Sequence, residues 1–561
     1  MRRLFSQLTG NRHVFTTVTI VTALFFFINV FWITADQRLP FIGDDARFLQ
    51  GTFELYEPLS RGDFVGAYNT WENMFIHPDR FPRTPLFAAL SVPAFLIFGV
   101  SENTALMMNL LVLAVNGILI FLLARKLFFG LPARQANAIG LLALVLYSVM
   151  PGAYGFARLY MSETLQTFFV LLLTYLFVRY RSSSSRTLFF ATGVLLSLAF
   201  LLRFLMPVYL VVPLTYFIYW QLRQKKSWHT YVEYFVITLI GFIPFTLTWY
   251  ASNFATYLEF ARFTSSGELA QYYSLGPVSS PVTAVRFWYV IVTWTIGWPL
   301  TVFMLLQVFA GAAAARSTVI RSVRHRFSSL NRFVDGLLGS NLALIILTPL
   351  PMLISLTLNE SKTARYFVPV IAFWILAAAY VAVRTGSRSR IWMTGTLITA
   401  ALCVYPFLQS VATFMPALPR TGLNEATGPY TRSEAFREPY SFVLSYYIPL
   451  EDEQPRVYNT AEQPLFNDAQ LIWYASQQGV TISSSDEFSR YTDLVTGKAE
   501  VDEADFVIVT DSPEAGEIWA DKYEQLREYV ENNDRFFLAA QKEMSDGSVY
   551  SIYVRLEYLG N

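Results

Sequence analysis

Long apolar runs, separated by short polar and mostly basic segments, occupy the first three quarters of the chain. A helix that crosses a bilayer needs about 20 mainly apolar residues, and fewer where a bundle shields its ends. Runs that meet this criterion lie at 14–34, 104–124, 136–150, 163–178, 187–203, 205–222, 231–250, 286–312, 340–358, 366–383 and 391–412. They predict about 11 transmembrane helices. The stretch 85–99 is opened by Pro85 and interrupted by Pro93, which predicts an interfacial or re-entrant helix instead of a crossing. The pattern changes near residue 413. Short runs at Arg456-Val457-Tyr458, Val480-Thr481-Ile482 and Phe506-Val507-Ile508-Val509 read as buried strands, with helical patterns at 464–478 and 514–531 between them. A last strand pair, 535–541 and 548–556, brackets the turn Asp546-Gly547. The fold expected is a polytopic α-helical membrane module over 1–412 and a soluble extracytoplasmic α/β domain over 413–561. The segment 422–437 reads as a linker, and no internal repeat or low-complexity tract is visible.

Composition agrees with this division. Of 561 residues, 54% are hydrophobic and only 15% charged, against roughly 25% charged in ordinary soluble domains. Net charge is +1, so no global field points to nucleic acid or to acidic partners. The single cysteine, Cys403, lies in an apolar run and allows no disulfide framework. The first run is too long for a cleaved signal peptide and lacks a small-residue cleavage site, so it reads as an anchor. Placing the N-terminus inside puts Arg2, Arg3 and Arg12, then Arg125, Lys126 and Arg134, then Arg179, Arg181 and Arg186 on the cytoplasmic side. Arg223, Lys225 and Lys226, then Arg316, Arg321, Arg324, Arg326 and Arg332, then Arg384, Arg388 and Arg390 follow, against one acid, Asp335. That is the positive-inside bias. The acid-rich segments fall outside: the loop 35–84, the turns 151–162 and 359–365, the loop 251–285 and the C-terminal domain.

The outer segments hold the residues suited to chemistry. The first loop begins with Gly43-Asp44-Asp45-Ala46-Arg47, a carboxylate pair just beyond the first span, at headgroup level. Ionisable groups at membrane depth are costly and therefore functional candidates. Arg203 stands in the tight turn between two spans without an acidic neighbour in sequence; it can snorkel to the interface or bind phosphate through its planar fork. Lys362, Arg365 and Tyr366 head another span from outside, against the positive-inside bias. Arg158 and Glu163 share an outer turn and can simply form an ion pair. The first loop closes on His77-Pro78-Asp79-Arg80-Phe81-Pro82-Arg83-Thr84-Pro85, with His77 the sole outer-face histidine. No clustered Cys/His spacing, phosphate-binding Gly-rich loop, nucleophile elbow or dinucleotide fingerprint occurs. An outer carboxylate pair with several arginines suits one reaction class. A general base takes a proton from an acceptor hydroxyl while cations stabilise a departing lipid phosphate, through an oxocarbenium-like state at the sugar.

These residues resemble the polyprenyl-phosphate-sugar-dependent GT-C glycosyltransferases, in particular the protein O-mannosyltransferases and the lipid A aminoarabinose transferases. The resemblance rests on Asp44-Asp45-Ala46-Arg47, Arg83-Thr84-Pro85-Leu86, Gly99-Val100-Ser101-Glu102, Leu123-Ala124-Arg125-Lys126-Leu127-Phe128, the turn Arg158 to Glu163, and Arg365-Tyr366 with Pro369. It covers about residues 14–385. It implies a GT-C-like fold with Asp44 as catalytic base, and Asp45 and Glu163 shaping the acceptor or metal side. Arg83, Arg158, Arg203 and Arg365 are then candidates for the donor phosphate and sugar hydroxyls, with Arg47, Lys362 and Tyr366 beside them. In the aminoarabinose transferases an acid that helps to bind a metal precedes the basic-proline motif, and here Pro82 stands in that place. No cofactor follows with certainty; a divalent metal is left open, with His77 as its histidine candidate.

The expected function is an inverting transferase in the plasma (inner) membrane. Its partners are a polyprenyl-phosphate-sugar donor and an extracytoplasmic acceptor that is a lipid-linked glycan, a cell-wall polysaccharide or a protein, with membrane lipids around it. A flippase for lipid-linked glycans or a non-catalytic scaffold are the alternatives; transporters tend to show paired halves and broken helices, and the hydropathy pattern shows neither.

Overall fold

Helices follow from the apolar runs, and the basic turns end them. The computed structural model describes residues 12–34, 44–73, 84–266, 270, 274–326, 339–387, 389–411, 438–447, 455–460, 471–472, 474–475, 480, 482–485, 494–511, 520–544 and 547–559. Their contacts divide the chain into two compact units, one of 1–35, 84–87 and 103–429, the other of 36–83, 88–102 and 430–561.

The first unit is helical. It comprises α1 (Arg12–Thr34) and, after α2 (Asp44–Ser60), α3 (Phe64–Asn73) and α4 (Leu86–Phe98), which lie chiefly in the other unit, α5 (Glu102–Leu127), α6 (Ala133–Ser148), α7 (Pro151–Arg158), α8 (Glu163–Arg179), α9 (Arg186–Leu202), α10 (Met206–Leu222) and α11 (Trp228–Ser266). Then come α12 (Pro281–Val290), a π-helical turn Ile291–Ile296, α13 (Trp298–Arg326), α14 (Asn341–Leu347), α15 (Leu350–Leu358), a 3₁₀ turn Ala364–Phe367, α16 (Val368–Gly386) and α17 (Arg390–Gln409). Among the described residues six helices are long and apolar enough to cross a membrane, or up to eight when each bent pair counts as one span. The segment 85–99 forms the short helix α4 of 13 residues.

Three breaks interrupt the helices. The α6 and α7 axes meet at 53° across Val149 and Met150, where Pro151 opens the second helix. The run expected as one span over 286–312 bends by 109°. There the π-helical turn ends at Gly297, whose φ of 82° is a left-handed conformation that favours glycine. The run 340–358 is likewise split at Thr348-Pro349. Hydropathy counts apolar side chains and is blind to backbone geometry, so broken helices read as continuous.

Helices α9 and α11 pack backbone against backbone. A Cβ on Gly193 would stand 2.0 Å from the Thr238 carbonyl oxygen, and one on Gly241 2.4 Å from that of Phe190. Small residues allow such approach inside membranes, where interhelical packing and polar contacts replace hydrophobic collapse. Ser197 and Thr246 add a hydroxyl–hydroxyl hydrogen bond of 2.7 Å across the same seam. This pairing fixes where the C-terminal end of α9 delivers Arg203.

In the second unit, the chain after residue 455 forms a five-stranded sheet of order β2-β1-β3-β5-β4. The strands are β1 (Arg456–Asn459), β2 (Ser483–Ser485), β3 (Phe506–Asp511), β4 (Phe536–Glu543) and β5 (Val549–Arg555). β1 pairs in parallel with β2 and β3, whereas β5 is antiparallel to β3 and β4. Alternation along β3 divides the core. Phe506 and Ile508 join Val443 and Leu444 of α18 (Glu438–Tyr447), while Val507 and Val509 join Val501 of α19 (Leu494–Glu503) and Leu526 of α20 (Ala520–Glu531). β2 falls just after the apolar run expected as a strand, because Val480 and Ile482 pack into the core while the serines that follow supply the edge ladder. The expected helix 464–478 is described only at 471–472 and 474–475, and the turn residue Asp546 lies outside the described residues.

Candidate functional site

Glu163 is the first residue of α8, where a carboxylate meets the positive end of the helix dipole. Two asparagines one heptad apart on α5 hold the turn that presents it. Asn109 Nδ2 donates to the carbonyls of Phe156, Leu159 and Met161 at 3.0, 3.0 and 3.2 Å. Asn116 Nδ2 donates to that of Thr164 at 2.9 Å. Glu163 is 1% exposed, and a buried carboxylate costs several kcal/mol unless it is compensated.

Two arginines supply the compensation. Arg203, the residue after α9, and Arg365, from the 3₁₀ turn before α16, each approach Glu163 Oε1 at 3.6 Å. These are ion pairs longer than hydrogen bonds, and the Glu163 carboxylate accepts no hydrogen bond among the described residues. The Tyr366 ring lies 4.2 Å from the Arg203 guanidinium and 5.4 Å from that of Arg365, within cation–π range. Tyr209 of α10 donates from its hydroxyl to the Tyr366 carbonyl at 2.8 Å and so secures the turn. Thr84 Oγ1 donates to the carbonyl of Leu202, beside Arg203, at 2.7 Å. The two guanidiniums are about one-fifth exposed. Among the described residues the group holds two cations and one anion. That arrangement suits an anion; two guanidiniums against one carboxylate do not suit a divalent cation, which asks for several oxygen ligands. Among the described residues no group of three or more His, Cys, Asp or Glu could hold a metal.

Other candidates from the sequence stand elsewhere. Arg158 does not pair with Glu163. It is 1% exposed, donates from Nε to Asn29 Oδ1 at 2.7 Å and from a terminal nitrogen to Ser410 Oγ at 2.8 Å, and is enclosed by the rings of Trp32, Tyr154 and Phe407. It joins α1, α7 and the residue after α17 as a structural clamp. Lys362 is also spent on the backbone. Its ammonium donates to the carbonyls of Leu356 at 3.0 Å and Thr357 at 2.7 Å, and to that of Asn359, closing the C-terminal end of α15. Burial pushes its pKa below the ordinary lysine value.

Asp44 and Asp45 are the first two residues of α2. Arg47 follows in the same turn, half-buried. His77 and Arg83 lie outside the described residues. Sequence reasoning missed Tyr209, Asn109 and Asn116, which no motif marks; their only trace is a polar group in an otherwise apolar helix.

Residues 77–249 match the model of a family described as dolichyl-phosphate-mannose-protein mannosyltransferase. No curated protein sequence matches the chain. Among solved structures, the apo state of ArnT from Cupriavidus metallidurans superposes with a TM-score of 0.51 at 14% identity, over 96% of this chain and 98% of that one. The same protein bound to undecaprenyl phosphate gives 0.50 at 15% identity, over 96% and 97%. The oligosaccharyltransferase AglB from Archaeoglobus fulgidus, in complex with an inhibitory peptide and a dolichol-phosphate, gives 0.51 at 11% identity, over 96% and 74%. At such identities the likeness establishes the fold. It is the GT-C glycosyltransferase fold that the motifs resemble.

Proposed function

We propose that this GT-C membrane protein transfers one sugar from a polyprenyl phosphate carrier to a hydroxyl of an acceptor outside the cytoplasm. The observation that carries the reading is the Arg203–Glu163–Arg365 group, in which two partly exposed guanidiniums stand beside one buried carboxylate. Support comes from the family match over 77–249, which includes Glu163 and Arg203, and from the lipid phosphates bound to two proteins of similar fold.

In the reaction proposed, the acceptor oxygen attacks the anomeric carbon and the bond from that carbon to the phosphate oxygen breaks. The bonding electrons leave with the polyprenyl phosphate, and Asp44 takes the acceptor proton. A single displacement inverts the anomeric centre. The phosphate changes from a monoanionic diester to a monoester with additional charge, so the cations at Arg203 and Arg365 stabilise the leaving group more than the bound donor. That difference is what lowers the barrier. Asp45 supports the acceptor side. The acceptor is a lipid-linked glycan, an envelope polysaccharide or a protein, and the sugar is a hexose or a pentose.

The test is transfer by purified protein supplied with a panel of radiolabelled polyprenyl-phosphate sugars. Asp44→Asn should abolish transfer, with a loss of at least about 10²-fold, while donor binding persists. Arg203→Gln should weaken donor binding instead. Transfer by Asp44→Asn at the wild-type rate would sink the mechanism.

A further inference from the structure

At the opposite end of α8 a second positively charged feature has no place in the reaction. Glu163 and Arg179 are the two ends of this helix of 17 residues, about 24 Å apart at 1.5 Å per residue. Beside Arg179, the turns after α5 and α8 enclose a cavity of about 420 Å³ whose lining includes Lys126, Phe129, Arg179, Tyr180, Arg181 and Ser183. Three basic residues are part of this lining, which contains no acid. None of the three makes an ion pair among the described residues, and the charges of Arg179 and Arg181 bear on the Lys126 ammonium. Glu233, the acid near the start of α11, is taken by Arg186.

Such mutual repulsion persists only where the frame holds it. Arg181 donates to the Tyr216 hydroxyl at 2.7 Å and to Asn341 Oδ1 at 3.3 Å, and stacks 4.3 Å over the Trp220 ring. Asn341 in turn donates to the Leu127 carbonyl at 2.7 Å. Gln221 Nε2 donates to the carbonyls of Arg181 and Ser183 at 3.0 and 3.2 Å, pinning the turn. Arg179 donates to the Tyr175 hydroxyl at 2.6 Å. Among the described residues, the partners that position the guanidiniums are neutral. Phe129, 67% exposed, stands on the rim as an apolar contact.

We infer that this cavity is a headgroup site for an anionic phospholipid, with Lys126, Arg179 and Arg181 converging on its phosphate and Phe129 against its acyl chain. A cavity of this size falls within the range that holds small ligands, and basic pockets between transmembrane helices recognise anionic headgroups. The site is independent of the transfer reaction and of its residues.

Native mass spectrometry of the full-length protein, released from vesicles of equal phosphatidylglycerol and phosphatidylcholine, tests it. The wild type should retain phosphatidylglycerol in preference. The double variant Lys126→Gln/Arg179→Gln should retain it roughly tenfold less or weaker still, given about 1 kcal/mol for each basic residue near an anionic surface. The charge-preserving pair Lys126→Arg/Arg179→Lys should keep the preference, which separates loss of charge from loss of fold. Equal retention by the wild type and the Gln variant, equal retention of the two lipids, or equal loss in both variants would overturn the inference. Thermal stabilisation by inorganic phosphate alone, with no lipid preference, would assign the cavity to a soluble phosphate and overturn it as well.

Discussion

Glu163 is the residue on which the candidate site turns. Its carboxylate stands between two guanidiniums at 3.6 Å each, so removing its charge leaves two cations facing each other. Glu163→Gln keeps the shape and should destabilise the protein by about 3 kcal/mol, the scale of a broken buried ion pair. A ligand that binds only the folded state stabilises it by mass action. Added polyprenyl phosphate should therefore raise the melting temperature of Glu163→Gln more than that of the wild type, since an incoming phosphate replaces the missing charge. An equal rise in both would show that phosphate does not bind at this group. Arg158 shows the limit of reading single residues. In sequence it looks like another outer arginine, but in the fold it clamps three segments inside an aromatic enclosure.

Among the elements, α9 and α11 decide where Arg203 arrives. Their crossing depends on Gly193 and Gly241, which leave no room for a Cβ against the opposing carbonyl oxygens. Gly241→Val should force the helices apart at a cost of about 1–3 kcal/mol, typical of overpacking. It should also weaken binding of polyprenyl phosphate, because the end of α9 carries Arg203 away from Glu163. Melting temperature and lipid binding measured on the same sample check this; unchanged binding beside a lowered melting temperature would show that the arginine is held by its own turn alone. The breaks after α6 and after the π-helical turn serve the same site from the other side. Gly152 at the start of α7 lies so close to Thr295 that a Cβ would meet its carbonyl oxygen at 2.8 Å, and Thr295 Oγ1 reaches the Ala364 carbonyl at 3.5 Å. The broken segments thereby brace the turn that carries Arg365. Broken helices are found in transporters, but here they support a charged group at the end of the bundle.

At the scale of the whole molecule, the basic residues predict which ends of the helices face the cytoplasm, and the sole cysteine makes that testable. Cys403 is 3% exposed, so a single introduced cysteine reports alone. Val495 on α19 is 77% exposed, and Ser182 lies exposed in the turn beside the basic cavity. In spheroplasts, a membrane-impermeant maleimide should label Val495→Cys directly and Ser182→Cys only after permeabilisation. Labelling in the reverse order would invert the orientation and remove the extracytoplasmic acceptor from the proposal.

The membrane fold class was legible in the chain because apolar runs of bilayer length are a local property, visible without knowing what packs against what. So was the α/β character of the C-terminal part, through short runs such as Phe506 to Val509. The turns with Glu163, Arg203 and Arg365 could be picked out because charge at membrane depth is costly wherever it occurs. Their convergence could not. Residues 163, 203 and 365 meet only through a glycine-mediated helix crossing, a π-helical break and two asparagines that brace a distant turn. Tertiary packing alone also brought Arg158 onto Asn29 and Ser410 and Lys362 onto backbone carbonyls, because a guanidinium or ammonium looks the same in sequence whatever its donors meet.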